Sequence, residues 1–217
     1  MHLLQVSSGR LYELACSRYT QALPVLKAAW DLGINTIDTA NMYSNGESES
    51  IIGTFMSKVY MPSLQNISLS HNVRYRQYNI PRENLVIMTK AYFLVSPDPS
   101  INSARAQGAL MKQRDYVNHG GLSRAALFNQ VETSLKRLGT SYIDVLQIHF
   151  FDATTPIEET MKALHDLVQS GKVRYLGASN LRTWQLAEMN RVAEVNGWTQ
   201  FVSIQIEYSL QIGRAHV

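Results

Sequence analysis

Four side chains of this 217-residue chain have types that suit proton transfer to an oxygen atom. Asp38 lies near the end of the run INTIDTA, Tyr43 follows it by five residues, and Lys90 and His149 lie near the ends of LVIMTKA and YIDVLQIHF. A cation close to a phenol favours the phenolate, and a carboxylate can hold that cation in place. A histidine can donate a hydrogen bond to an oxygen that gains negative charge. The four residues together therefore predict a proton-donating, oxyanion-stabilising site.

Each of these residues also has a purely structural interpretation. An Asp-Thr pair after a strand often forms a turn or a helix entry, and a lysine at a strand end is usually solvated. A histidine between apolar residues is more often a hydrogen-bonded core group, and Tyr43 is one of eleven tyrosines. The functional interpretation rests on the combination, because four suitable residue types stand at four compatible places.

A recurring unit of helix, glycine and β-branched strand must position these residues. Apolar residues at helical spacing predict helices over residues 23–32, 127–138, 157–168 and 186–193, each close to a glycine that suits a helix end. Thr155-Pro156-Ile157-Glu158 predicts a capping box with proline at the first helical position. Strands are predicted over residues 35–40, 85–91, 143–150, 173–180 and 201–208.

The alternation of helices and buried strands indicates an α/β protein with a parallel sheet, either open and doubly wound or closed as a (β/α)8 TIM barrel. The sequence lacks the G-x-G-x-x-G fingerprint of doubly wound dinucleotide-binding folds, and its polar strand ends favour the barrel, where such ends converge on one mouth. Five strands are apparent, with LLQV near the N-terminus as a weak sixth, so we expect an incomplete barrel. Because its sheet edges would stay unpaired, we expect it to be unstable alone or to need a partner.

The composition excludes several other classes of protein. Hydrophobic residues make up 45% of the chain and charged residues 17%, which is enough apolar surface for a core. The basic residues behind the net charge of +3 are scattered, so we expect no nucleic-acid partner. Cys16 is the only cysteine, the first residues do not resemble a signal peptide, and no apolar run is long enough for a membrane span, so we expect a cytoplasmic protein.

Two stretches interrupt the repeating pattern. Residues 59–79 make a longer connection than a helix-to-strand step usually needs, and we interpret them as an insertion. Residues 92–122, which include Gly120-Gly121, are expected to form a long loop after the LVIMTKA strand. Because strand-to-helix loops lie on the mouth side of a barrel, we expect this loop to shape a substrate pocket.

Five segments resemble, in order, the hallmark segments of the aldo-keto reductase family: DTANMYSNGESE, VIMTK, LKRLGTSYIDVLQIH, GKVRYLGASN and SIQIEYSL. The resemblance covers residues 21–58 and 79–210 and is closest to the aryl-alcohol-dehydrogenase-like branch, which includes enzymes similar to versiconal hemiacetal acetate reductase. It implies a single partial domain over residues 1–217 that transfers hydride reversibly between NADPH and an aldehyde or ketone, without a metal. The implied partner is a small carbonyl or alcohol substrate. The choice between NADPH and NADH and the oligomeric state stay open.

The resemblance also assigns a role to individual residues. It makes Tyr43 the proton donor, Lys90 the cation that activates it, Asp38 the partner of Lys90 and His149 the residue that orients the carbonyl. Asp38 also falls among the cofactor contacts, together with Ser179, Asn180 and Gln205, which match the family's contacts to the nicotinamide carboxamide. Hydroxyl and amide groups can hold a carboxamide by paired donors and acceptors, although such groups also commonly cap strand ends.

The chain departs from the family pattern at several points. Phe150 follows His149 where this branch more often has arginine, the last two barrel strands are absent, and residues 211–217, QIGRAHV, look like an atypical end. Two alternatives to an active oxidoreductase therefore stay open. One is a non-catalytic regulatory subunit that binds a nicotinamide cofactor, and the other is an inactive truncated gene product.

Overall fold

Alternating helices and strands make up the computed structural model, which describes residues 11–57, 78, 80–98 and 101–207, the side chains of 11–18 and 20 excepted. The helices are α1 (Leu11–Asp31), α2 (Glu47–Met56), α3 (Ser103–Leu110), α4 (Arg124–Leu138), α5 (Ile157–Gln169) and α6 (Thr183–Val195). The strands are β1 (Thr36–Asp38), β2 (Val86–Ala91), β3 (Ile143–Ile148), β4 (Val173–Ser179) and β5 (Phe201–Gln205). Short 3-10 turns cover Tyr43–Gly46, Arg82–Asn84 and Arg114–Tyr116. Within the described part of the chain, no helix is both long enough and apolar enough to traverse a lipid bilayer.

The five predicted strands are confirmed, each one to three residues shorter than expected, and the four predicted helices are α1, α4, α5 and α6. The sequence did not predict α2, and residues 92–122 are not a loop throughout, because they contain α3 and a 3-10 turn. LLQV, residues 211–217 and all of residues 59–79 except Tyr78 lie outside the described residues.

All neighbouring strands are parallel, and their order in the sheet, β1-β2-β3-β4-β5, is their order in the chain. A doubly wound sheet reverses its strand order at a switch point, so this order is that of a barrel. The sheet is also strongly curled. In a flat sheet β1 and β5 would lie about 19 Å apart, at about 4.8 Å a strand, yet the Gln205 amide donates to the Asp38 carboxylate at 3.3 Å.

The curl makes the described part an incomplete (β/α)8 barrel with five of its strands. Its inner face carries Lys90 and Gln147, which are paired in the strand register. Its outer face packs under the helices through buried apolar side chains. Those of the strands include Ile87, Leu146, Ile148 and Leu176, and those of the helices include Phe55, Leu127 and Leu164. On β5, which has no further neighbour among the described strands, Val202 and Ile204 are exposed. The expectation that the half-barrel is unstable alone or needs a partner stays a prediction.

Gly177 on β4 allows the inner face to close up. A Cβ atom there would lie 2.8 Å from Ser203 Oγ and 3.0 Å from Gln147 Cγ, closer than such atoms approach. The β4–β5 register also shifts between Leu176 and Gly177. Strand shifts of this kind bend and twist a sheet, and glycine often marks them. The absence of a side chain at Gly177 therefore lets side chains of β3 and β5 pack against the β4 backbone inside the barrel.

The start of α5 lies where the sequence predicts it, but its capping differs. Pro156 has an extended conformation and precedes the helix, and the N-terminus shows no side-chain cap. The Thr155 hydroxyl instead donates to the buried Asp152 carboxylate at 2.9 Å. Burial by itself would raise the pKa of Asp152, but hydrogen bonds from Thr154, Leu122 and Thr155 outweigh it and lower the pKa. The predicted capping box is thus wrong, because the Thr155 side chain is turned to the Asp152 carboxylate and no side chain caps the first turn of the helix.

A buried carboxylate fastens α2 to the rest of the barrel. Glu49 is fully buried, and it accepts hydrogen bonds from Thr89 Oγ1 on β2 at 2.6 Å and from Arg137 Nε on α4 at 2.7 Å. The two helices approach so closely that a Cβ atom on Gly53 would lie 2.3 Å from the Arg137 carbonyl oxygen. Thr89 immediately precedes Lys90, so this clamp sets the position of α2 relative to the inner face of the sheet.

Removing the cation of this clamp should destabilise the fold strongly. In Arg137→Met the Glu49 carboxylate stays buried with only Thr89 as partner, and breaking a buried pair in this way costs about 3 to 5 kcal/mol. Urea unfolding measures the loss. The matched control is Arg191→Met, since Arg191 pairs with Glu188 on the exposed face of α6 and should contribute little. Equal, small effects of the two substitutions would contradict a stabilising role for the clamp.

Candidate active site

The centre of the candidate site is an ion pair between two strand ends. Lys90 is 1% exposed, and its Nζ donates to both carboxylate oxygens of Asp38, at 3.0 and 2.9 Å, and to the Thr39 carbonyl oxygen at 3.0 Å. Asp38 keeps 37% of its side-chain surface exposed, so the carboxylate forms the solvent side of the pair. A buried ammonium requires such partners because it has lost its water.

Backbone pairing beyond the end of β1 places the two residues side by side. Thr39 N donates to Met88 O at 2.8 Å, and Asn41 N donates to Lys90 O at 3.1 Å. The chain that follows Asp38 therefore continues along β2 up to Lys90 before it turns towards Tyr43. Since the side chains of a strand alternate between its faces, Thr89 points out to α2 while Lys90 points into the barrel.

Two glutamine amides complete the surroundings of the Asp38 carboxylate. Gln147 Nε2 donates to Oδ1 at 3.1 Å, and Gln205 Nε2 donates to Oδ2 at 3.3 Å. Gln147 is 1% exposed, and its Oε1 is buried without a hydrogen-bond partner among the described residues. Asp38 thus collects donors from β2, β3 and β5 at one point on the inner face.

Tyr43 lies next to this ion pair at the rim of the barrel. It begins the 3-10 turn Tyr43–Gly46, and 37% of its surface is exposed. Its ring centroid is 5.2 Å from Lys90 Nζ and 5.9 Å from the His149 ring, which it meets edge-on. The structure therefore brings the four residues singled out in the sequence, Asp38, Tyr43, Lys90 and His149, around one space.

His149 sits in an aromatic enclosure. Phe150 stacks on the imidazole at 5.4 Å with an interplanar angle of 19°, and Phe93 meets it edge-on at 5.4 Å. Burial, and next the charge of Lys90, lower the pKa of His149 to about 4, although Asp38 acts in the opposite direction. The imidazole is therefore neutral near pH 7, where it has one N–H to donate and one nitrogen to accept.

Buried amides hold the segment that carries Phe93. Gln130 on α4 accepts a hydrogen bond from Tyr92 N at 2.8 Å and donates to Gly121 O at 2.9 Å. Asn41 Nδ2 donates to Phe93 O at 2.7 Å and to Gln130 Oε1 at 3.1 Å. Through these bonds α4 fixes the aromatic side of the site although it lies outside the barrel.

The three predicted carboxamide contacts lie beside the ion pair, at the ends of β4 and β5. Asn180 Nδ2 donates to His149 O at 3.2 Å and to Ser179 Oγ at 3.1 Å, and Asn180 N donates to Gln205 O at 3.0 Å. Asn180 has a positive φ of 55°. Within the described residues, the Ser179 hydroxyl donates to no acceptor, and the side-chain oxygens of Asn180 and Gln205 receive no hydrogen bond. One free donor and two free acceptors fit a primary carboxamide, which offers one acceptor and two donor hydrogens.

Several residues at the site were not singled out from the sequence. Gln147 stands two residues before His149, so the strand period alone places both on the inner face and could have indicated it. No local signal indicates Phe93, Gln130 or Asn45, which act through contacts distant in the chain. Among the described residues, no three His, Cys, Asp or Glu side chains lie close enough together to hold a metal ion.

Comparison with known proteins gives matches to a single family. The sequence profile of the "Aldo/keto reductase family" matches residues 13–217. Aldo-keto reductase AFTS1 of Alternaria alternata is 51% identical over 195 residues, covering 88% of this chain and 48% of that protein. Versiconal hemiacetal acetate reductase of Aspergillus parasiticus is 42% identical over 190 residues, covering 88% and 49%. The thermostable aldo-keto reductase Tm1743, in a crystal structure with the inhibitor epalrestat, superposes with a TM-score of 0.62 at 26% identity, covering 88% of this chain and 52% of that one. The chain spans about half the length of the curated relatives it matches.

The pKa of His149 predicts a pH dependence of stability. Because its pKa is about 4 in the fold and about 6.5 in an unfolded chain, the unfolded state takes up the proton more readily between these values. The free energy of unfolding should therefore fall as the pH is lowered from 6.5 to 4, and it should fall less in His149→Gln. Urea unfolding at several pH values measures this difference. A C–H resonance of His149 that titrates near pH 6.5 in the folded protein would contradict it.

Proposed function

We propose, on the premise that the chain belongs to the aldo/keto reductase family, that this site interconverts an aldehyde or ketone and the corresponding alcohol with a nicotinamide cofactor. The observation that carries the proposal is the buried Lys90 ammonium, held by Asp38 beside the Tyr43 ring, with a neutral His149 whose ring centroid is 5.9 Å from that of Tyr43. Because the chain spans about half of its relatives, we propose that residues 1–217 form one partial domain of this activity.

Tyr43 is the proposed proton donor. Reduction of a carbonyl leaves negative charge on its oxygen, and a phenol at the rim can give that oxygen a proton. Lys90 Nζ is a fixed cation 5.2 Å from the centroid of the phenol ring, and it stabilises the phenolate that remains. The proposed task of Asp38 is to hold the ammonium in this place, which it does with two hydrogen bonds.

His149 has the complementary role of orienting the substrate oxygen. A neutral imidazole can donate one N–H to the carbonyl oxygen without competing with Tyr43 as an acid. The Phe93 and Phe150 rings exclude water from two sides of the imidazole and keep it uncharged. Orientation by a fixed donor lowers the barrier because the oxygen meets it already in place.

The proposed cofactor is NADPH, whose reduced nicotinamide ring supplies a hydride when it is bound. Asp38, Ser179, Asn180 and Gln205 are the proposed contacts, with the last three holding the carboxamide through the free donor and acceptors described above. NADPH rather than NADH follows from the family resemblance alone. The buried Gln147 Oε1, which lacks a partner among the described residues, adds one more acceptor on the same inner face.

The proposed partner is a small molecule rather than a macromolecule. The basic residues are scattered through the sequence, which argues against a nucleic acid, and the single cysteine is consistent with the cytoplasm. Two aromatic residues lie at the rim of the site, Phe150 and Tyr43. They are 38% and 37% exposed and offer an apolar surface to a substrate.

Replacement of the proposed proton donor separates this function from its alternatives. Tyr43→Phe should lower turnover of an aromatic aldehyde by about 100-fold or more, since general-acid catalysis contributes about 10²- to 10⁴-fold. Affinity for NADPH should change by less than about twofold, because the phenol acts on the substrate oxygen. Loss of NADPH absorbance measures turnover, and cofactor fluorescence measures binding.

The matched control is Tyr142→Phe, since the Tyr142 ring lies between Arg82 and Arg174 at the opposite end of β3. It should turn over like the unsubstituted protein. NADPH binding without turnover in the unsubstituted protein would favour the regulatory subunit, and neither binding nor a cooperative unfolding transition would favour an inactive gene product.

A further inference from the structure

The turn that carries Tyr43 has an unusual backbone. Ser44 and Asn45 have φ values of 50° and 56°, and Gly46 follows with a φ of 92°. Three consecutive residues are thus left-handed, and only the glycine adopts this conformation without cost. Such strain persists where the surroundings over-determine the conformation, and it is common close to functional groups.

The Asn45 side chain supplies the constraint. Its Nδ2 donates to Ser96 O at 2.8 Å and to Asp98 O at 3.1 Å. Its Oδ1 accepts from Ser103 Oγ at 2.7 Å and from Ser96 N at 3.2 Å. All four bonds go to the described part of residues 96–103, called the rim segment below, which lies between β2 and the first residue of α3. The amide is therefore fully occupied in joining two segments more than 50 residues apart in the chain.

The other side of the turn is fastened independently. Ser50 Oγ donates to Gly46 O at 3.2 Å, and the Ser48 and Thr39 hydroxyls lie 2.8 Å apart. These bonds attach the first turn of α2 to the Tyr43 turn and to the residue after Asp38. These bonds do not fix the side of the turn that faces the rim segment, and on that side Asn45 supplies the four hydrogen bonds.

We propose that Asn45 is a positioning residue, which locks the strained Tyr43 turn onto residues 96–103 and thereby holds the Tyr43 phenol against Lys90 and His149. The position of the rim segment and the position of the phenol are then coupled, so a substrate that moves the segment also moves the phenol. This inference rests on the proposed function for its catalytic readout alone.

Two substitutions separate the side-chain bonds from the backbone strain. Asn45→Gly relieves the strain but removes all four bonds, whereas Asn45→Asp keeps the acceptors and replaces the donors to Ser96 O and Asp98 O. We expect both to lower kcat about tenfold or more and to leave the Kd for NADPH within about twofold. If Asn45→Gly keeps the kcat of the unsubstituted protein, the residue serves the backbone conformation only and the proposal is wrong.

A readout without turnover covers the case in which the chain is not an active enzyme. In protein labelled with 3-fluorotyrosine, the Tyr43 resonance is the one that Tyr43→Phe removes. Asn45→Gly and the milder Ser103→Ala, which deletes one bond to Asn45, should both shift it and should speed amide exchange in Tyr43–Gly46 and in residues 96–103 together. Faster exchange in residues 96–103 with an unmoved Tyr43 resonance would overturn the proposal.

The matched control is Asn196→Asp. The Asn196 amide donates to Val192 O at the C-terminal end of α6, away from the rim. It should leave kcat, the Tyr43 resonance and exchange at both segments unchanged. An equal effect of this substitution would also overturn the proposal, since the loss would then be a general loss of stability. Absence of turnover in the unsubstituted protein would instead count against the proposed function, and the resonance and exchange data would still decide the role of Asn45.

Discussion

The interaction on which the rest of the structure depends is the contact between the Lys90 ammonium and the Asp38 carboxylate. An ammonium that is 1% exposed is tolerable only beside an opposite charge, so β1 must end where β2 presents Lys90. The carboxylate then has lone pairs left over, and amides from β3 and β5 use them. These donors come from strands that a flat sheet would keep far apart. The same carboxylate therefore organises both the charge at the site and the curvature of the sheet around it.

Much of the fold was predictable because its helices and strands follow the local periodicity of apolar residues. Buried strands and helices with apolar stripes appear in the sequence as runs of the right period, and the predicted strand ends indicate Asp38, Lys90 and His149. Tyr43 was identified by its distance from Asp38 rather than by an element, since the helix α2 that follows it was not predicted. The strand LLQV and the insertion over residues 59–79 lie outside the described residues, Tyr78 excepted.

What the sequence did not indicate are contacts between residues far apart in the chain. Thr155 has the residue type of a helix cap, but its side chain is turned to the Asp152 carboxylate three residues earlier. Asn45, Glu49 and Gln130 each look like ordinary polar residues of a loop or helix. Their meaning depends on partners 40 to 90 residues away, such as Ser103, Thr89 and Asn41. This chain has Phe150 after His149, where the family branch more often has arginine. The Phe150 ring stacks on the imidazole and shelters it from water.

The absence of a side chain at Gly177 restricts which substitutions the inner face of the sheet can accept. Ser203 Oγ and Gln147 Cγ occupy the volume that even a methyl group would need. A larger residue requires the Ser203 hydroxyl to turn away and the Gln147 side chain to shift, or the strands to move apart. Substitution at this position therefore affects β3 and β5 together, and it displaces Gln147, whose amide donates to Asp38, although Gln147 itself is unchanged. The residues that position 177 accepts are therefore limited by side chains of β3 and β5 that already fill the space beside it.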